Sequence, residues 1–167
     1  MSTLSTPVAD PTVAALLAEI QVTTDFFNRS TDCLTEEHSG FAPSPELMTV
    51  AQQVAHVART YDWFVEALRP EGFDLDFEKL EVGVKTATSL NEARAWLERA
   101  NQQAKDAFGS RTAEELAQPL PEGPVMGGQP RTALVGALVD HTAHHRGVLT
   151  VYSRLQGLTP KMPYGDM

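Results

Sequence analysis

Between Leu134 and Leu155 the residues Leu134, Leu138, His141, His145, Val148, Tyr152 and Leu155 recur at alternating steps of four and three. That period follows one face of an α-helix and no strand pattern, so this stretch must fold as a long helix laid against a core. Val50, Val54, Val57, Tyr61, Phe64 and Leu68 repeat in the same rhythm. A third segment carries Val13, Leu16, Leu17, Ile20, Phe27 and Leu34 close to helical spacing. A fourth carries Ala93, Trp96, Leu97, Ala100, Ala104 and Ala107, whose small side chains permit a neighbouring helix to approach closely.

Local signals bound each segment. Asp10 before Pro11 reads as an N-cap followed by proline at the first helical position. Thr49 with Gln52, and Ser89 with Glu92, have the spacing of capping boxes that open the second and third helices. The second helix runs to about Leu68, just before Pro70, and Gly109 can end the third. The last helix is predicted from about Pro130 to Gln156, with Gly157 placed to cap it. Residues 70–88 show no lasting period and carry glycines and acids, so they read as a long crossover loop with room for one extra turn. Residues 111–130 read as a polar connection. The fold class is therefore all-α: a four-helix bundle whose long connections imply at least one crossover. A length of 167 residues fits a single domain over 1–167, with a core large enough to fold without disulfides or a structural metal.

Charge and composition exclude several partners. Thirteen lysines and arginines against 22 aspartates and glutamates give a formal charge of −9, which repels a nucleic-acid backbone. The start of the chain, MSTLSTPVADPT, has no secretory pattern, and no apolar run reaches membrane-spanning length. A soluble, cytoplasmic protein is expected. Cys33 is the sole cysteine, so no intrachain disulfide can form.

Three of the five histidines fall in VDHTAHHRG, residues 139–147. His141 and His145 occupy two places on the apolar stripe, one turn apart and about 40° around the axis, so both imidazoles can reach one ion. His144 is turned about 100° from His145 and points elsewhere. By spacing alone the pair fits two hydrogen-bonded core histidines as well as two ligands. His56 lies off the centre of its helix's apolar stripe, on the side of Thr60, Trp63 and Ala67, and spacing does not select it; His38 sits in a connection. Thr142 follows His141 where a zinc metalloprotease has its glutamate, Glu-x-x-His occurs nowhere, and no Cys/His cluster offers a structural zinc site.

His56 in VAHVARTYDWF, His141 and His145 in DHTAHHRG, and the tail LQGLTPKMPYGDM together resemble the DinB-like superfamily, also called YfiT-like metalloenzymes. The resemblance implies that His56, His141 and His145 bind one divalent metal ion, zinc or nickel first among the choices. It further implies a four-helix bundle of uncommon connectivity, frequently a homodimer. One departure is Val148 after Arg146-Gly147, where many members carry glutamine.

Three neutral imidazoles leave coordination positions open, the pattern of a catalytic centre. Relatives of known activity include transferases and isomerases that use a low-molecular-weight thiol such as bacillithiol or mycothiol. The first expectation is therefore a metal-dependent thiol S-transferase acting on electrophilic small molecules. A metal-hydroxide hydrolase is the second, and a non-enzymatic metal-binding stress or interaction protein a third. Asp140 and Arg146 are expected in ion pairs and Trp63 in the core or pocket wall, while Tyr152 is a candidate acid or orienting group facing the metal. The tail, with Tyr164 and Asp166, could fold over the bundle, and Asp166 or an acid between Glu71 and Glu81 could close the coordination sphere.

Overall fold

The Asp10 carboxylate accepts from the backbone N–H groups of Thr12 and Val13 and opens helix α1, Pro11–Thr31, with proline in its first turn as expected. In this computed structural model, which describes residues 10–165, five further helices follow. They are α2 (Val50–Glu66), α3 (Phe77–Lys85), α4 (Leu90–Gly109), α5 (Ala113–Ala117) and α6 (Ala133–Leu155). The all-α class holds: among the described residues there is no strand, only an isolated bridge between Pro119 and Pro130. No described helix is long and apolar enough to cross a membrane.

The four long helices close around one core. α2 packs most extensively on α4 and also on α6 and α3, while α1 packs on α6 and α4. Alanines set the α2–α4 spacing: Ala51, Ala55, Ala58, Ala93, Ala100 and Ala104 are all buried. The stripe read along α2, from Val50 to Leu68, is buried throughout.

Two connections hold more structure than their sequences announce. Within 70–88, read as a loop, α3 makes more than two turns, N-capped by the Asp76 side chain, which accepts from Lys79 N at 3.1 Å. Its apolar content is small, with Leu80 and Val84 alone buried, so the periodicity is too weak to see. Gly83, which reads as a breaker, lets α3 close on α4: a Cβ there would lie 3.2 Å from the Trp96 ring. Within 111–130 the short α5 is opened by a capping box of Thr112 and Glu115.

The expected capping box of Ser89 and Glu92 is only half formed. Ser89 Oγ accepts from Glu92 N at 3.2 Å, but the first N–H groups of α4 are met by the α1–α2 connection. There, around a 3-10 turn at Glu36–His38, Ser39 Oγ accepts from Leu90 N at 2.9 Å and Glu36 Oε2 from Asn91 N at 2.7 Å. The Asn91 bond holds the Glu36 carboxyl below its usual range. A connection distant in sequence thus caps α4.

Helix α6 ends as predicted. Gly157 takes φ +76°, Leu158 N donates to Ser153 O at 2.9 Å and Gly157 N to Arg154 O at 3.0 Å, a Schellman motif. Its buried face differs from the stripe read in the sequence. Leu134, Val135, Leu138, Thr142, His145, Leu149, Tyr152 and Ser153 are inside, which turns the helix by roughly 60° from that stripe at 100° per residue. Leu155 is consequently 61% exposed, whereas His141 and Val148 stand at the edge. Beyond α6 the tail returns along α1: Arg29 Nε donates to Met162 O at 2.8 Å, Lys161 pairs with Asp32, and Tyr164 meets Phe26 edge-on at 5.1 Å. Asp166 lies outside the described residues.

This rotation gives a test. Leu149→Ala should cost about 2–5 kcal/mol of stability, as buried leucines do, while exposed Leu155→Ala should stay within about 0.5 kcal/mol. Urea denaturation measures both, and a larger loss at Leu155 than at Leu149 would favour the stripe read from spacing.

Candidate metal centre

The site begins with a well-started helix. Thr49 Oγ1 accepts from Gln52 N, and Gln52 Oε1 accepts from Thr49 N at 2.9 Å, so the capping box fixes where α2 begins. Gln53, His56 and Thr60 then share one side of α2, a turn apart. That side faces α6 and α3, which explains why a histidine off the main apolar stripe is still only partly exposed. From α6, His141 and His145 approach it.

The structure brings together all three histidines named from the sequence. One ligand nitrogen from each of His56, His141 and His145 lies within 4.8 Å of the others. The Nε2 atoms of His56 and His141 are 3.2 Å apart, and the ring centroids are separated by 4.5 to 5.0 Å. His144 is exposed and outside the group, although its ring touches His145 edge-on. His38 is elsewhere, accepting from Thr35 N through Nδ1.

One partner was not read from the sequence. Gln53, 4% exposed, places Oε1 2.5 Å from His145 Nδ1, so that nitrogen carries the proton and donates while Nε2 keeps its lone pair for the centre. The signal was present as Gln-x-x-His, with Gln53 one turn before His56. Thr60 Oγ1 donates to His56 O at 3.0 Å and lies 3.4 Å from His141 Nε2. His141 Nδ1 is buried without a partner, so that ring is oriented by packing and by the contacts of its Nε2.

Burial keeps the cluster uncharged. Desolvation pushes the His145 imidazole down to about 3 and His141 to about 4, with the neighbouring imidazoles adding to the shift. His56 is also lowered, mainly by desolvation, with Glu81 opposing. At neutral pH three lone-pair-bearing imidazoles therefore converge, and each proton removed is one an ion need not displace. Two of the three already stand at an ion's spacing: nitrogens at about 2.0–2.1 Å from a tetrahedral ion lie about 3.3 Å apart, close to the 3.2 Å between His56 and His141, while the three together span up to 4.8 Å. Among the described residues no carboxylate joins the group. Glu81, which shares a cavity wall with His56, is exposed and pairs with Lys85 at 2.7 Å.

A profile of the DinB superfamily matches residues 10–149, from the N-cap of α1 through both histidines of α6. The chain belongs to the DinB superfamily. No curated protein matches it. The match takes in every residue of the DinB three-histidine cluster, whereas the tail after Leu149 lies beyond it. DinB membership and the clustered histidines together fit a metal-binding protein.

Other residues singled out in the sequence are placed differently. Tyr152 OH donates to Met48 O at 3.2 Å and its ring packs edge-on against Phe41, so its hydroxyl is turned from the centre into a structural bond. Arg146, expected in an ion pair, stacks over the Phe26 ring at 5.9 Å. Asp140 is exposed. Trp63 is a pocket wall, as expected.

Metal analysis should find about one divalent ion per chain, lost in His145→Ala and kept in His144→Ala. Gln53→Ala should weaken affinity by about 10- to 100-fold with the helical circular dichroism unchanged, because an outer-sphere partner is removed. An ion kept at full affinity in both His145→Ala and Gln53→Ala would remove the assignment.

The metal-free protein gives a separate test. A histidine with a lowered folded-state value binds fewer protons folded than unfolded, so its stabilisation is complete above 6.5 and declines as pH falls from 6.5 towards 4. Thermal midpoints of metal-free protein should drop through that window more steeply than those of a His141→Ala/His145→Ala double variant. Parallel profiles would contradict the burial of these imidazoles.

Proposed function

We propose that this protein is a metal-dependent S-transferase in which a low-molecular-weight thiol attacks an electrophilic small molecule. The observation that carries this reading is a cluster of three neutral imidazoles, without a carboxylate, opening on an apolar-walled cavity. A divalent ion held there would keep its double charge and, as a Lewis acid, would favour the thiolate of a thiol bound in its open position. His56, His141 and His145 would hold it, and Gln53 would keep His145 in the tautomer that binds.

The nucleophile would come from outside the chain. Cys33, the protein's own thiol, lies 3.5 Å from Ser153 Oγ, and Ser153 is eight residues along α6 from His145, about 12 Å of helix. In the transfer the thiol proton leaves to solvent, sulfur forms a bond to the electrophilic carbon, and the leaving group departs with the bonding electrons. Bacillithiol and mycothiol are the thiols to try first.

With cobalt-loaded protein, either thiol should produce a thiolate-to-metal charge-transfer band, and zinc-loaded protein should consume an alkyl halide or epoxide only when metal and thiol are both present. Cys33→Ser should retain this activity and His145→Ala should lose it. Turnover that needs metal but no thiol would instead make the protein a hydrolase, and metal binding with neither band nor turnover would make it a binding protein.

A further inference from the structure

A cavity of about 200 Å³ lies between α2 and α3, with His56 and His141 in its wall. Carbon forms most of the remainder: Trp63 and Phe64 from α2, Leu80 and Val84 from α3, with half-exposed Phe77 at the rim. The rings support one another, Trp63 and Phe77 meeting edge-on at 5.7 Å. α3, whose buried residues are Leu80 and Val84, turns both towards this space or beside it.

The polar groups of the wall are already engaged. Trp63 Nε1 donates to Asp74 O at 2.7 Å and so presents its carbon face. Arg59 forms a two-pronged pair with Glu66 at 3.0 and 3.2 Å, Glu81 pairs with Lys85, and Thr60 donates to His56 O. In the metal-free protein a carboxylate entering the cavity would have to compete with Glu66 for Arg59 or remain unpaired against carbon, at a cost no apolar group meets. An enclosed apolar cavity of about 150 Å³ holds benzene, so about 200 Å³ here is enough to cover one ring with a small substituent.

We infer that this cavity binds the uncharged, apolar part of the substrate, a single aromatic ring or a short aliphatic chain, and presents it to the three-histidine centre. Its role in turnover rests on the S-transferase reading, but the binding does not. α3 is then the specificity wall: its apolar side chains set the size of the group admitted, and the neutral imidazoles form the polar end at which the reacting carbon lies.

Fluorobenzene followed by fluorine NMR tests this with the full chain, metal-free, zinc-loaded and cobalt-loaded. Saturable binding is expected in the metal-free and zinc-loaded forms, with a shift of the Trp63 indole N–H. The cobalt-loaded form should relax the bound fluorine faster than the zinc-loaded form, placing the probe beside the centre. To the metal-free protein 4-fluorobenzoate should bind at least about tenfold more weakly, and fluorobenzene should bind Leu80→Trp more weakly by a similar factor, because the indole takes the ring's place while zinc stoichiometry is kept. Val84→Phe serves the same purpose if Leu80→Trp fails to fold. No saturable binding, benzoate binding the metal-free protein as well as fluorobenzene, or filled variants binding like wild type would each overturn the proposal. Fluorobenzene bound by protein that takes up no metal would defeat the S-transferase reading and leave the cavity assignment standing; zinc uptake without fluorobenzene binding would do the reverse.

Discussion

Helix α2 is covered by α4, α6 and α3, so the polar side chains it carries must find partners inside the protein. Gln53 finds His145, His56 finds His141, and Thr60 turns back to the His56 carbonyl. Tyr61, wholly buried, shares its hydroxyl with Thr24 of α1, whose Oγ1 donates to Asn101 of α4. These contacts tie α2 to α6 and α1 directly and, through Thr24, to α4. Unmet, each would cost on the order of 1–3 kcal/mol, so they select one arrangement of the helices as well as stabilising it.

The histidine cluster follows from that enclosure. Desolvation holds the imidazoles neutral, and neutrality makes three of them at this spacing a ligand set rather than a mutually repelling group. A chain with a net charge of −9 still keeps carboxylates out of this pocket's first ring of donors, with Glu81 turned to Lys85. The enclosing helix α3 does two things at once. It shields His56 from water, and its apolar side leaves a small cavity against the same ring.

Cover of this kind depends on α3 staying in place, and the structure anchors it at both ends. Trp63 Nε1 reaches the Asp74 carbonyl before the helix, and Gln52 Nε2 donates to the Lys85 carbonyl at its end, 3.0 Å away. Gly83 removes the side chain that would hold α3 off Trp96, whose Nε1 donates to Asp62 at 2.7 Å. Burial raises the Asp62 carboxyl, opposed by that bond and by Arg59.

Apolar repeats and end signals were enough to establish the all-α class, the four long helices, and the starts at Asp10 and Thr49. They also located the Gly157 stop and the His141/His145 pair with His144 excluded. These are properties of a single helix: 100° per residue and a few local hydrogen bonds, all encoded within a turn or two. His56 was reached only through resemblance, because its side of α2 becomes interior when α3, itself too poor in apolar residues to show a period, folds over it. The roughly 60° turn of α6 had no local signal, and Gln-x-x-His in α2 does not by itself say that Gln53 meets His145. The capping of α4 by Ser39 and Glu36 was likewise out of reach. Each depends on which residues of a different element arrive opposite, and packing the helices together around one core decides that.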